Sequence, residues 1–84
     1  MADVAWSRSA IKTLARIDRT TAARIQAKVR QLAKDPQSLA NNIRPLKGER
    51  DLMRLRVGNW RVIYTPTLTV LTVVKVAPRG GAYE

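Results

Sequence analysis

Apolar and polar positions alternate with period two from Leu52 to Tyr64, L-M-R-L-R-V-G-N-W-R-V-I-Y. Gly58-Asn59 interrupts the alternation. Gly-Asn is a two-residue hairpin signal, and Gly in first place favours a type II′ turn. A turn there sets Val57 opposite Trp60, Arg56 opposite Arg61, Leu55 opposite Val62 and Met53 opposite Tyr64. Side chains of a strand alternate between its two faces. One face then carries Met53, Leu55, Val57, Trp60, Val62 and Tyr64, fit for a core. The other carries Arg54, Arg56, Arg61 and Ile63, with Leu52 at its margin.

The period changes on either side of this hairpin. Asp3 to Trp6 is short and partly apolar, a first strand. Ser7 is an N-cap residue, and Arg8 to Ile17 follows as a short helix with Ile11, Leu14 and Ala15 on one face. Asp18 to Thr21 breaks it and caps a second helix over Thr20 to Lys34. There Ala22, Ile25, Val29 and Leu32 recur at three- and four-residue spacing. Arg24, Lys28, Arg30 and Lys34 fall on its wet side and read as a solvated face. Asp35-Pro36 ends the helix, because proline pushes the residue before it out of the α region. Gln37 to Arg50 reads as a basic connector with Arg44, Lys47 and Arg50.

Beyond the hairpin, Thr65-Pro66-Thr67 predicts a turn. Leu68 to Ala77, L-T-V-L-T-V-V-K-V-A, is apolar on both parities, which predicts a central strand buried on both faces. Lys75 is its one charge and shares parity with Arg79. A buried lysine is rare, so Lys75 is expected at a cleft. Pro78 stops the strand, and Arg79 to Glu84 reads as a flexible tail. The sum is an α+β fold: one domain over residues 1–84, a small antiparallel sheet in the order β-α-α-β-β-β, with a two-helix hairpin packed on its apolar face. The arginine face is left open.

Charge decides what that face is for. The 84 residues hold 16 Lys+Arg against 6 Asp+Glu, a formal charge of +10. Eleven of the 16 cations are arginine, whose planar fork matches phosphate and carboxylate. Arg56 and Arg61 fall directly opposite each other, and like charges so placed weaken a sheet by a few tenths of a kcal/mol. Either an anion lies between them, or the face is solvated and charged against aggregation. Cysteine and histidine are both absent, which excludes thiol nucleophiles, disulfides and the usual zinc sites, and removes the commonest general base. No segment resembles a signal peptide or approaches the ~20 apolar residues of a membrane span. A cytoplasmic protein is expected.

Several ordered motifs resemble one known family. Leu46 to Gly48 reads L-K-G, Leu55 to Tyr64 reads L-R-V-G-N-W-R-V-I-Y, Val70 to Val76 reads V-L-T-V-V-K-V, and Ala77 to Tyr83 reads A-P-R-G-G-A-Y. In this order, after a β-α-α start, they resemble the RelE/ParE toxin superfamily and its RelE branch over nearly the whole chain. That resemblance implies a toxin of a type II toxin–antitoxin system. It implies an endonuclease that cuts mRNA in the ribosomal A site through the RNA 2′-hydroxyl, needs no metal or cofactor, and pairs with a cognate antitoxin in a hetero-oligomer. Its strand cations correspond to Arg54 and Arg56, its hairpin arginine to Arg61, its late arginine to Arg79 and its terminal tyrosine to Tyr83.

The resemblance implies catalytic roles for Arg61, Arg79, Tyr83 and Arg56. Arg54, Lys47, Arg44 and Lys75 are expected to contact RNA. Arginines stabilise phosphorane charge well but are poor bases, so proton abstraction has no evident owner among them. Trp60 and Tyr64 belong with the core; Trp6 fits core or base stacking. Two other functions fit the charge: a ParE-like inhibitor of DNA gyrase without chemistry, or a plain nucleic-acid-binding module.

Overall fold

A computed structural model describes residues 2–46, 51–67 and 69–78. Strand β1 spans Asp3–Trp6, helix α1 Arg8–Arg16 and helix α2 Arg19–Lys34. A 3-10 segment, Pro36–Asn42, leads into β2 at Ile43–Pro45. Then come β3 at Met53–Val57, β4 at Trp60–Pro66 and β5 at Val70–Pro78. The fold is α+β, with one five-stranded sheet in the order β1-β5-β4-β3-β2.

Both helix starts have a local chemical cause. Ser7 Oγ accepts from the Ala10 N–H at 3.0 Å. Asp18 Oδ2 accepts from the Thr21 N–H at 2.9 Å and caps α2. These side chains satisfy donors that a helix start leaves without partners. Only Ile17 and Asp18 separate the helices, so they fold back as a hairpin on one sheet face.

That face is the core. Ile25, Val29, Leu55, Val62 and Val73 have 0 % exposure, and Ala10, Leu32, Tyr64, Leu71 and Val76 join the same cluster. Fully burying one such aliphatic side chain contributes about 1.5–3 kcal/mol. Trp6, Trp60 and Met53 pack against the cluster half-buried. Helix α1 enters it through Ala10, Leu14 and Ile17, spaced four and three apart, rather than through the expected stripe of Ile11, Leu14 and Ala15. Ile11 lies 100° off the true stripe and is 56 % exposed.

Four expectations about the sheet are corrected. The connector contains a strand: β2 pairs antiparallel with β3, at Ile43 with Leu55 and Arg44 with Arg54. Three residues ending in proline carry no readable alternation. The sheet is mixed rather than wholly antiparallel, since β1 runs parallel to β5. After a two-helix excursion the chain builds the rest of the sheet first and reaches β1 last. The turn expected at Thr65 to Thr67 starts later, because β4 runs to Pro66 and Thr67 closes onto Val70.

Finally, β5 is not buried on both faces throughout. Its register with β4 runs Arg61 to Ala77, Val62 to Val76 and Ile63 to Lys75, then Tyr64 to Val73, passing over Val74. Leu71 and Val73 face the core before that slip, and Val76 faces it afterwards. Apolar residues therefore occur on both parities because the phase changes mid-strand. Ser7 holds this point: its N–H donates to the Val73 carbonyl at 2.8 Å and its hydroxyl to the Val74 carbonyl at 2.6 Å.

Candidate functional site

The hairpin register matches the sequence expectation at every pair from Met53–Tyr64 to Val57–Trp60. Gly58 has φ +58°, and no other described residue has positive φ, as a type II′ turn requires. Register then assembles the outer face. One row runs across four strands as Arg44, Arg54, Ile63 and Lys75. The next row runs Arg56, Arg61 and Ala77. With strands about 4.8 Å apart, the first row spans about 14 Å. Five cations thus share one sheet face, Arg44 on the edge strand and Lys75 on β5.

The face is not open throughout, contrary to expectation. Ile63 is 0 % exposed at its centre, and Arg61 only 7 %. Arg54 and Lys75 flank Ile63 and are half-buried, while Arg56 and Arg44 are exposed. Long cationic side chains cover apolar surface with their stems and leave their heads outside, which suits Arg54 and Lys75 beside an isoleucine.

The facing arginines settle differently. Arg61 Nη1 donates to the carbonyls of Trp60 at 3.2 Å and Gly58 at 3.4 Å, turning its head toward the hairpin tip. That turn relieves the repulsion across the strand pair and holds the guanidinium in place. Arg56 stays in solvent, and its backbone carbonyl accepts from Asn42 Nδ2 at 3.3 Å, tying the hairpin to the 3-10 segment. Pro78 pairs with Trp60, so the described end of β5 reaches the same tip.

Arg79, Tyr83 and Lys47 lie outside the described residues, as do the expected tail and most of the L-K-G motif. Arg24 of α2 enters the picture instead. Its Nη1 and Cζ stand 3.6 and 3.8 Å from where a Cβ on Gly58 would be. Helical periodicity assigns Arg24 to a solvated face and says nothing of a hairpin 34 residues away.

The arrangement suits anion binding better than proton transfer. The face holds arginines and a lysine. Tyr64 points to the core, and burial pushes its phenol up to about 12, so it is no base near neutrality. No group of three or more His, Cys, Asp or Glu side chains able to hold a metal ion occurs among the described residues. No described helix is long and apolar enough to cross a membrane.

Comparison with known proteins agrees with this fold. Residues 4–83 match the family of the ParE toxin of the type II toxin–antitoxin system parDE. No curated protein sequence matches. Among solved structures, the archaeal RelE–RelB complex from Pyrococcus horikoshii is similar at 26 % identity and a TM-score of 0.78, over 94 % of this chain and 96 % of that one. The intact Escherichia coli RelBE complex is similar in fold at 17 % identity and a TM-score of 0.76, over 93 % and 96 % of the two chains. A YoeB/ParE toxin from Agrobacterium tumefaciens aligns at 19 % identity and a TM-score of 0.73, over 92 % and 98 %. The match across nearly the whole chain, on a sheet whose outer face is lined with arginine, places this chain in the ParE toxin family of type II toxin–antitoxin systems, within the RelE/ParE superfamily.

Proposed function

We propose that this toxin is a metal-independent endoribonuclease that cuts mRNA in the ribosomal A site and so blocks translation. The observation that carries the reading is the cross-strand pair Arg56–Arg61 beside the row Arg44, Arg54 and Lys75. Cleavage is an internal transesterification. The 2′-oxygen bonds to phosphorus, the P–O5′ bond breaks, and the products are a 2′,3′-cyclic phosphate and a 5′-hydroxyl. One proton leaves the 2′-hydroxyl and one reaches O5′, so no water is consumed.

Charge builds on the phosphorane oxygens as the bond forms. Arg61, fixed by two backbone carbonyls, and Arg56, exposed beside it, are the groups for that charge. One preorganised contact of this kind lowers the barrier by about 3–4 kcal/mol. Arg54, Arg44 and Lys75, with Lys47, grip neighbouring phosphates. Arg79 and Tyr83 are assigned to the leaving group and to base stacking or proton transfer. The A site explains the economy of the chain's own acid–base groups, since the ribosome brings further groups to the RNA.

A cognate antitoxin is the second partner, in a hetero-oligomer, and the site of action is the cytoplasm. Ile11 with Trp6, Leu14 and Ala15 leaves an apolar depression on the helical side, beside Arg8, Lys12 and Arg16 on the same helix. An acidic amphipathic segment complements both. A gyrase-directed ParE-like activity is the competing reading. The family match favours it, as does a face without a general base among the described residues.

A translating extract separates the two. Added protein should cut message in the extract, leave naked RNA intact and leave gyrase supercoiling unchanged. Intact message together with blocked supercoiling would establish the gyrase reading instead.

A further inference from the structure

Helix α1 carries two surfaces that the core does not use. Ala10, Leu14 and Ile17 pack inward. Ile11 stands 56 % exposed, the one large apolar side chain so placed among the described residues. With Trp6, Leu14, Ala15 and Gln26 it lines a shallow depression where β1, α1 and α2 meet. Gln26 is half-buried there, and its amide has no hydrogen-bond partner among the described residues. One residue on from Ile11, about 100° further round the helix, Lys12 belongs to the second surface. Arg8, Lys12 and Arg16 are spaced four apart, all exposed, and line a basic depression with Ser9 and Thr13. Four residues advance a helix by about 6 Å, so the three form a row about 12 Å long. None of them has an ion-pair or hydrogen-bond partner among the described residues. Asp18, just beyond this helix, turns to the Thr21 N–H instead.

An exposed apolar side chain beside an unpaired row of cations suits a partner that offers apolar contact and negative charge together. A second copy of this chain brings the same cations to the row and is repelled. RNA phosphates match the row but leave the apolar depression empty. A concave apolar surface takes a protruding side chain, and Gln26 at its wall offers an amide to the same partner. A helix with acids at every fourth position matches Arg8, Lys12 and Arg16 in spacing, whichever way it runs. Its neighbouring apolar stripe then lies over Ile11 and Ala15. Helix α1 packs on the core face of the sheet, whereas Arg44, Arg54 and Arg56 lie on the outer face. A helix seated on α1 therefore holds the toxin without covering the arginine rows.

We propose that the cognate antitoxin is anchored here. An acidic amphipathic helix lies along α1, one bulky apolar side chain filling the depression beside Ile11, its carboxylates four apart facing Arg8, Lys12 and Arg16. This rests on the antitoxin reading above. It gives that partner a secondary structure, a register and a seat separate from the RNA face.

The test is biolayer interferometry of the full chain against the product of the reading frame adjacent to the toxin's own, over a series of salt concentrations. Ile11→Asp should weaken binding at least about tenfold, through a lost apolar contact and a carboxylate set against carboxylates. Ile11→Leu should stay within about twofold of wild type. Lys12→Glu should weaken binding about fivefold and flatten its salt dependence. Arg30→Glu, the same reversal on an exposed part of α2, should stay within about twofold. Thermal melts of Ile11→Asp and Lys12→Glu should match wild type, since both side chains are exposed. Wild-type affinity in Ile11→Asp overturns the proposal and leaves the antitoxin reading standing, whereas a wild-type chain that the partner does not bind overturns both. Lost binding of a 2′-O-methyl oligoribonucleotide in Lys12→Glu, with the antitoxin affinity unchanged, gives the row to RNA and also overturns the proposal.

Discussion

Arg56 and Arg61 share a register position and a charge, and their surroundings separate them. Arg61 is 7 % exposed and hydrogen-bonded to the hairpin's own carbonyls, so it supports the turn as well as any anion. Arg56 is exposed and free of that duty. Arg61→Ala should therefore cost about 1–3 kcal/mol of stability through lost stem packing and hydrogen bonds. Arg56→Ala should stay within about 0.5 kcal/mol of wild type while message cleavage falls at least about tenfold. Thermal melts beside a cleavage assay check both; equal melting temperatures for the two variants would contradict the structural role of Arg61. The pairing of these residues was legible in the sequence, because period-two alternation and Gly58-Asn59 leave one register. The burial of Arg61 was not, since it depends on what lies across the sheet face. The approach of Arg24 to Gly58 was illegible for the same reason: helical periodicity assigns a face, not a distant neighbour.

Helix α1 and strand β5 are joined through Ser7, and that joint shows how one side chain serves two elements. Its hydroxyl oxygen accepts from the Ala10 N–H at the helix start, and its proton goes to the Val74 carbonyl where the strand register slips. Ser7→Ala removes both contacts, with an expected loss of about 1–2 kcal/mol. For a chain of this size that lowers the melting temperature by roughly 4–8 °C per kcal/mol. A melt unchanged within error would show that neither contact contributes. The capping role was readable from Ser7 before Arg8; the strand contact joins residues 67 positions apart and has no local signature. Strand β2 escaped for a different reason. Ile43–Pro45 is too short to alternate, and its proline argues against a strand except at an edge, where it lies.

At the scale of the whole molecule, the absence of histidine and cysteine fixes the shape of the pH response. No side chain with an ordinary pKa between about 5 and 8 is available, so stability should be flat across neutrality. At the alkaline end Tyr64 contributes a pH dependence of its own. Its folded pKa is about 12 against 10.0 for the free side chain, because burial disfavours the phenolate. The folded state therefore holds that proton more tightly than the unfolded state. Its contribution is intact below pH 10 and is lost as pH rises toward 12. Denaturant melts from pH 8 to 12 should show the loss, and Tyr64→Phe should blunt it. An identical alkaline profile in that variant would mean other groups set it. At the acid end the bonds from Thr21 hold Asp18 below the usual carboxylate range, so its cap stays ionised further into acid than a free carboxylate does.

The slip at Val74 has a consequence for how such a protein changes over generations. Before it, β5 lies between β1 and the Tyr64 to Pro66 end of β4; after it, the strand pairs with β4 at Ile63, Val62, Arg61 and Trp60. Val74 has no partner on β4, so losing that one residue would join Val73 to Lys75 and leave Lys75 opposite Ile63 and Ala77 opposite Arg61 on the outer face. Side chains upstream, set by Leu71 and Val73 against the helices, would keep their places. A change of length at this one point can therefore be taken up by the slip, with the charge pattern of the outer face and the scaffold beneath it both kept.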